Sequence, residues 1–402
     1  MPFIDIINRF KEGTVKTIFL IYIIIGGIYW LFQLVMILRI RKKVSLIEDL
    51  REGEMEQWPK VSVIITACNE ENTIEAAVRS RLEDDYSGLE LIIVEDRSTD
   101  GTPGIVDRLA FQDRRIKVVH IKQLPEGWLG KLNAMNEGVK AAKGDWFLFS
   151  DADVHIRKGT MKKVITYCND NNLEHLAVIP EMLPVNFILD ALISMVMRLI
   201  CMALRVWAVQ DTESSVGAGS GSFNLVKRQA YERTRGFEWL KMELGDDVAF
   251  GQMLKKSGSR SSFVNGRGYV TLVFYNSIKD VLFASERGAF TSTNFSFIAA
   301  AILSIFLTGM ELAPVVALLA TGMPFVQYAG IVLIFIEITV SIMVNSWLNF
   351  RLLPIILLPV IAVIVGYGFF RAGLLGTLRR GVYWRGTFYP IELLKQGRRV
   401  RI

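Results

Sequence analysis

Between residues 61 and 151 the chain alternates short β-branched runs with helical segments, and the runs end in polar clusters. VSVIIT at 61–66 reads as a buried parallel strand and is followed by Ala67, Cys68, Asn69, Glu70, Glu71 and Asn72. Helices are expected over 73–82, 102–111 and 131–142, and strands over 90–94 and 116–121. The apolar run at 146–149 then delivers Asp151, Ala152 and Asp153. Such alternation predicts an α/β domain built on a parallel sheet with right-handed crossovers. Ligands of such sheets bind beyond the carboxyl ends of the strands, where these clusters fall.

Two carboxylates emerging together from a strand end suit a hard divalent cation, which usually also takes phosphate oxygens of a substrate. Asp-x-Asp alone is common in solvated turns, so the surrounding clusters carry the reading. Asp96 after the second strand reads as a ligand contact, whereas Ser98 and Asp100 read as caps of the following helix. Further along, a glycine-rich stretch at 217–223 precedes Gly245, Asp246 and Asp247. The glycines would let backbone come close to a bound sugar or phosphate. The two aspartates either do chemistry or favour the dipole of a helix over 248–256.

In order and spacing, VSVIITACNEE, LIIVEDRSTDGT, GKLNAMNEGVKAAKGDWFLFSDADV and ELGDDVAFGQMLKKSG resemble successive motifs of family 2 glycosyltransferases, over roughly 61–290. Within that family the likeness is to membrane-anchored hopene-associated and carotenoid glycosyltransferases, supported by PEGWLGK at 125–131, and more distantly to ceramide glucosyltransferase. The resemblance implies a GT-A fold, a Rossmann-like nucleotide-sugar-binding domain with a mixed, mainly parallel sheet. It implies that Thr66, Ala67, Asn69 and Glu70 line the nucleotide pocket and that Asp96 bonds the base. Lys131 would approach the donor phosphates, Asp151 would hold the ribose or sugar side, and Asp153, with Asp151 beside it, would ligate Mg2+ or Mn2+. An inverting transfer needs a base for the attacking hydroxyl, and the resemblance gives Asp247 that role with Asp246 as second candidate. UDP-sugars are the donors such a family usually takes.

Arg97 stands where the family most often has glycine. The glutamine-arginine-tryptophan motif of processive relatives is absent from this sequence, which argues against a polymer synthase; at a similar distance SERGAF at 285–290 resembles the arginine-x-alanine-phenylalanine stretch of hopene-associated enzymes, which implies Arg287 as the substitute. YWRGTFY at 383–389 offers Arg385 as a second diphosphate contact through its fixed fork of donors. Trp384 and Tyr389 there suit a membrane interface equally well.

The remaining chain points to a bilayer. Residues 17–38 are apolar for a membrane-crossing length and are followed by Arg39, Ile40, Arg41, Lys42 and Lys43. This reads as an uncleaved anchor (1–45) with its basic end cytoplasmic, which places the domain at 58–290 in the cytoplasm. A second apolar region, 295–373, holds spans near 297–319, 325–344 and 352–370, with Glu311 and Glu337 inside them. Three full crossings would leave the basic tail, 374–402, outside, against the positive-inside rule, so one span is expected to be re-entrant or interfacial. The segment 184–207 carries Asn186, Asp190, Ser194, Arg198 and Arg205 on one helical stripe and reads as an interfacial helix, or else as a buried core helix.

With 51% hydrophobic residues, the 402-residue chain has room for one soluble domain and several spans. Its formal net charge of +6 gathers beside the spans and suits anionic lipid, with no nucleic-acid partner expected. Three cysteines and three histidines show no metal spacing. The expected protein is a multi-pass cell-membrane inverting glycosyltransferase that uses Mg2+ or Mn2+ to move a sugar from a nucleotide-diphosphate donor to a lipid hydroxyl. A polyprenyl-phosphate acceptor, a processive polysaccharide synthase and a non-catalytic scaffold are the alternatives.

Overall fold

The computed structural model describes residues 2–399, so Arg401 of the basic tail lies outside the described residues. Helix α1 (Pro2–Lys43) leads through β1 (Ser45–Leu46) into β2 (Val61–Ala67), α2 (Ile74–Leu82), β3 (Leu89–Asp96), α3 (Thr102–Gln112), β4 (Ile116–Ile121), α4 (Gly130–Ala141) and β5 (Trp146–Asp151). Next come β6 (His155–Ile156), α5 (Thr160–Asp170), β7 (His175–Ile179), β8 (Glu181–Met182), α6 (Phe187–Ala203), β9 (Asn224–Lys227), α7 (Arg228–Glu232), α8 (Gly236–Leu240), α9 (Asp246–Lys256), β10 (Ser261–Asn265) and β11 (Val270–Leu272). The chain closes with α10 (Ile278–Ser292), α11 (Phe297–Leu318), α12 (Pro324–Leu348), α13 (Leu358–Arg379), the hairpin β12 (Gly381–Trp384) and β13 (Thr387–Pro390), and α14 (Ile391–Gly397).

Eight strands form one sheet in the order β1-β10-β7-β9-β5-β2-β3-β4. β9 runs antiparallel to β5 and β7, and the other pairs are parallel. The α/β domain thus has the expected mixed, mainly parallel sheet. Its central strands are buried nearly end to end, as in β2, where Val61, Val63, Ile64 and Ile65 are at most 1% exposed. Each such side chain contributes about 1.5–3 kcal/mol on burial, which holds the register that fixes the strand ends.

Among the described residues five helices are long and apolar enough to cross a membrane, falling at 13–43, 187–208, 297–318, 324–348 and 353–379. Of the polar stripe of α6, Asp190, Ser194 and Arg198 turn inward, while Asn186 and Arg205 at its ends are exposed. Arg198 pairs with Glu311 of α11 at 2.7 Å, both side chains 2% exposed. Tyr29 of α1 donates to the same carboxylate, and the Arg198 guanidinium lies 5.1 Å from the centre of the Trp30 ring. Ser194 donates to Asn345 of α12. Polar groups in an apolar bundle are satisfied by each other, because lipid offers them nothing.

The C-terminal helices start, return and finish beside the α/β domain. α11 leaves from α10; α12 comes back, with Asn349 Nδ2 donating to Glu181 at 2.5 Å and Asn265 Nδ2 donating to the Trp347 carbonyl at 2.7 Å. α13 runs antiparallel to α11, since Ser304 Oγ donates to the Gly366 carbonyl at 2.6 Å and Thr308 Oγ1 to that of Ala362 at 3.4 Å. It therefore faces only the domain-proximal part of α11. Between Asn349 and Leu358 the chain forms a short 3-10 turn, Leu353–Leu357, before α13 begins.

Candidate functional site

A cavity of about 250 Å³ opens at the carboxyl ends of β2, β3 and β5. Thr66, Ala67, Glu70, Asp96, Lys131, Asp151, Asp153 and Asp246 line it from the sheet side. Arg287, Trp384, Arg385 and Tyr389 line it from the C-terminal side, and Leu272, Phe274 and Tyr275 form an apolar wall. The sequence-predicted residues thus converge, with two exceptions.

Asn69 is the first: it does not line the cavity. Its left-handed backbone (φ 58°) turns the side chain toward the loop after β3, where Oδ1 accepts from Thr99 N at 2.8 Å. Ser98 Oγ accepts from Asn69 N, and Asp100 accepts from Glu71 N and Thr102 N, so all three residues pin two loops together. Asp247 is the second. It lines a small neighbouring cavity with Asp246, Ser220 and Gly221.

At the end of β3, Arg97 grips the Asp96 carboxylate with two nitrogens at 2.7 and 3.0 Å. Its φ of 58° is one that glycine adopts freely, which explains why an arginine here needs a strong local partner. Lys131, in the first turn of α4, bridges Asp151 at 2.8 Å and Asp246 at 3.2 Å. Burial works against its charge, but the two carboxylates more than offset that and raise its pKa.

Asp153 is half-buried, and burial, then the charges of Asp151 and Glu70, push its carboxyl up to about 6. Among the described residues no group of three or more His, Cys, Asp or Glu could hold a metal by itself. Two carboxylate oxygens are nonetheless the hard donor set that Mg2+ or Mn2+ takes when phosphates complete the shell. The residues present fit such an ion.

Asp247 sits at the start of α9, where Oδ1 accepts from Val248 N at 2.8 Å and Oδ2 from Gly221 N at 3.2 Å. Burial first, and Asp246 next, push its carboxyl up to about 6, near the range of a working base. The glycines before it have a packing reason. A Cβ on Gly217 would lie 2.5 Å from the Gly251 carbonyl, and one on Gly219 would lie 2.4 Å from the Asp247 carbonyl, so the stretch presses against α9. Gly221 faces the cavity beside Asp151 and Lys131.

The hairpin of β12 and β13 turns on Arg385 and Gly386, both with positive φ, as a two-residue connection of twisted strands requires. Arg385 Nη1 donates to the Cys68 carbonyl at 2.9 Å and Nη2 to Glu70 at 2.7 Å. Trp384 is in the cavity wall rather than at an interface, with Arg287 stacked 4.6 Å from its ring centre. Tyr389 is 6% exposed and also faces the cavity.

Residues 62–184 match the model of glycosyl transferase family 2. In sequence the chain is 37% identical over 112 residues to the Synechocystis beta-monoglucosyldiacylglycerol synthase, covering 27% of this chain and 23% of that one. It is 30% identical over 112 residues to the Campylobacter jejuni GalNAc(5)-diNAcBac-PP-undecaprenol beta-1,3-glucosyltransferase, covering 28% and 35%. A glycosyltransferase of Haemophilus influenzae is 34% identical over 118 residues, covering 29% and 35%. The match spans about a third or less of these relatives' lengths. In structure the chain is similar to the mannosyltransferase PcManGT from Pyrobaculum calidifontis, solved with GDP-Man and Mn2+, with a TM-score of 0.52, 15% identity, and coverage of 89% and 98%. The α/β domain has the GT-A fold.

Sequence reasoning did not find the apolar wall or Arg81. The wall follows β11 in a stretch without periodicity. Arg81 left a signal, standing on the stripe Ile74, Ala77, Val78, Arg81 whose other members are core residues.

Proposed function

We propose that the protein is a membrane-bound inverting glycosyltransferase that moves a sugar from a nucleotide-diphosphate donor, a UDP-sugar first, to the hydroxyl of a lipid. The observation that carries the acceptor is the cavity's apolar wall. Phe274 and Tyr275, with Ile278 and Val281 of α10, pack against the same apolar cluster as α1, α6, α12 and α13. An acceptor whose chain lies among those helices could present its head group to the carboxylates from the side. The basic residues after the anchor favour a cytoplasmic domain at the cell membrane.

In this reading Thr66, Ala67, Glu70 and Asp96 receive the nucleoside, and Arg287 and Arg385 meet the diphosphate. Asp151 and Asp153 would hold Mg2+ or Mn2+, which when bound neutralises charge on the departing diphosphate. The acceptor oxygen attacks the anomeric carbon from the face opposite the diphosphate. As that bond forms, the carbon–oxygen bond to phosphate breaks, the nucleoside diphosphate leaves with the electron pair, and Asp247 takes the hydroxyl proton.

The test is transfer of radiolabelled sugar from several nucleotide sugars on membranes holding the protein, with Mn2+ or with EDTA, followed by organic extraction. Label in one discrete lipid, lost with EDTA, is expected. Label in an insoluble polymer, or none from any donor while a known lipid glycosyltransferase works in the same membranes, would overturn the proposal. A phosphate acceptor on a polyprenyl chain is a second reading, favoured by Arg287, which has no carboxylate partner among the described residues. Such an acceptor needs no base, so undiminished turnover by Asp247→Asn would select it.

A further inference from the structure

Arg81 is a cation that the protein has buried without a counter-ion. Its side chain projects from α2 under the end of β5 and is 1% exposed. Among the described residues it makes no ion pair, and its Nε and Nη1 have no hydrogen-bond partner. The charges that act on it are those of Asp153 and Asp151 at longer range. A buried guanidinium in this condition destabilises a fold relative to an apolar side chain of the same volume. Its retention asks for a reason other than stability.

The bonds it does make supply one. Nη2 donates to Ser150 Oγ and to the Asp151 carbonyl, both at 2.8 Å. Ser150 Oγ in turn donates to the Ser222 carbonyl at 2.8 Å, and Asp151 N donates to the Gly221 carbonyl at 3.1 Å. Gly221 N donates to Asp247 Oδ2. One buried side chain therefore ties the strand end that carries Asp151 and Asp153 to the glycine-rich stretch that holds Asp247.

We propose that Arg81 is a positioning residue that sets the register between the Asp151–Asp153 strand end and the Asp247 carboxylate through Ser150 and Ser222. The inference rests on the glycosyltransferase reading above, because the register matters where a donor centre and a base must meet one acceptor oxygen. Arg81 does not line the cavity, whereas Asp151 and Asp153 do.

The experiment compares Arg81→Met, Arg81→Lys and Ser150→Ala with wild type in detergent. For Arg81→Met, kcat is expected to fall about 100-fold, the loss typical of an ångström-scale misplacement, with donor KM within about threefold. Its Tm should equal or exceed that of wild type, and Mn2+ binding, read from the free-ion EPR signal, should stay within about threefold, since every carboxylate remains. Arg81→Lys, which keeps a charged donor, should recover about tenfold of the lost kcat. Ser150→Ala should lower kcat in the same direction with KM unchanged, and carries the test by itself where an Arg81 variant fails to fold. A kcat within threefold of wild type in Arg81→Met overturns the inference alone. So does a loss of kcat matched by a fall in Tm, or a loss of Mn2+ binding. Absence of sugar transfer by wild type overturns the underlying reading and this inference with it.

Discussion

Arg385 and Glu70 meet at 2.7 Å across 315 positions of sequence. The contact joins a hairpin that follows the last long apolar helix to the loop after the first strand of the sheet core. The second bond of Arg385, to the Cys68 carbonyl, makes the attachment two-pronged. A donor diphosphate entering the cavity would compete with Glu70 for that fork, since charged acceptors bind it best.

Arg385→Ala should therefore raise donor KM about tenfold or more, a loss of roughly 1.5–3 kcal/mol for a charge-assisted bond. Glu70→Gln frees the fork but weakens the proposed nucleoside contact, two opposing effects, and should change donor KM less. Steady-state kinetics at saturating acceptor separates the two; equal KM values for Arg385→Ala and wild type would remove the arginine from the donor site.

Asp247 must be ionised to take a proton. Because its carboxyl is pushed up to about 6, kcat/KM is expected to fall with pH below about 6 and level off above it. Asp247→Asn should lower kcat about 100- to 10,000-fold. The stability effect has the opposite sign. A raised carboxyl pKa favours the protonated folded form, so that contribution is full below the ordinary carboxylate range and is lost as pH rises through about 6. At pH 7.5 the neutral asparagine should raise Tm in detergent, by an amount on the order of 1–2 kcal/mol in stability.

Asp153→Asn should raise the Mn2+ concentration for half-maximal activity at least about tenfold, because a neutral amide is a far weaker ligand for a hard cation than carboxylate. Tm without metal should hold or rise, since the group relieved is one that burial already pushes up. A Mn2+ titration of turnover alongside a metal-free melt reads both. An unchanged titration would place the cation elsewhere.

Arg198→Met leaves the Glu311 carboxyl deep among the helices with Tyr29 as its remaining partner. Breaking one half of a buried pair costs about 3–5 kcal/mol. Combined replacement, Arg198→Met with Glu311→Leu, should recover most of it. Unfolding in detergent followed by tryptophan fluorescence measures the series. Additive losses in the double variant would contradict the pairing.

Gly251→Ala should destabilise the domain by about 3 kcal/mol or more, because its Cβ would lie 2.1 Å from the Ala218 carbonyl carbon and backbone cannot yield as a side chain can. Gly288→Ala, inside α10 with open space around it, serves as the control and should hold or raise Tm.

Much of the fold was legible because the β-branched runs leave few choices. The strand expected over 116–121 is β4 as it stands, the helix over 73–82 differs from α2 by one residue at its start, and the helix over 131–142 is α4 shifted by one residue at each end. The span expected over 352–370 is displaced to Leu358–Arg379, since Pro354 and Pro359 favour a short turn first and helix only afterwards. In the site, Asp96, Asp151 and Asp153 were readable because strand ends dictate where they emerge. Asn69 was not, because a positive φ redirects a side chain without any sign in composition. The polar stripe of α6 was legible as a stripe, but its direction depends on what packs there, and Glu311 and Asn345 lie more than a hundred residues away. Trp384 and Arg287 are likewise partners that only tertiary structure brings together.

The hairpin at Gly381–Pro390 carries a consequence for how the protein is made. Ribosomes emit these ten residues only after every long apolar helix has emerged, yet they wall the cavity that the first half of the chain began. Trp384, Arg385 and Tyr389 are thus the last part of the cavity wall in chain order, added after every apolar helix of membrane-crossing length among the described residues.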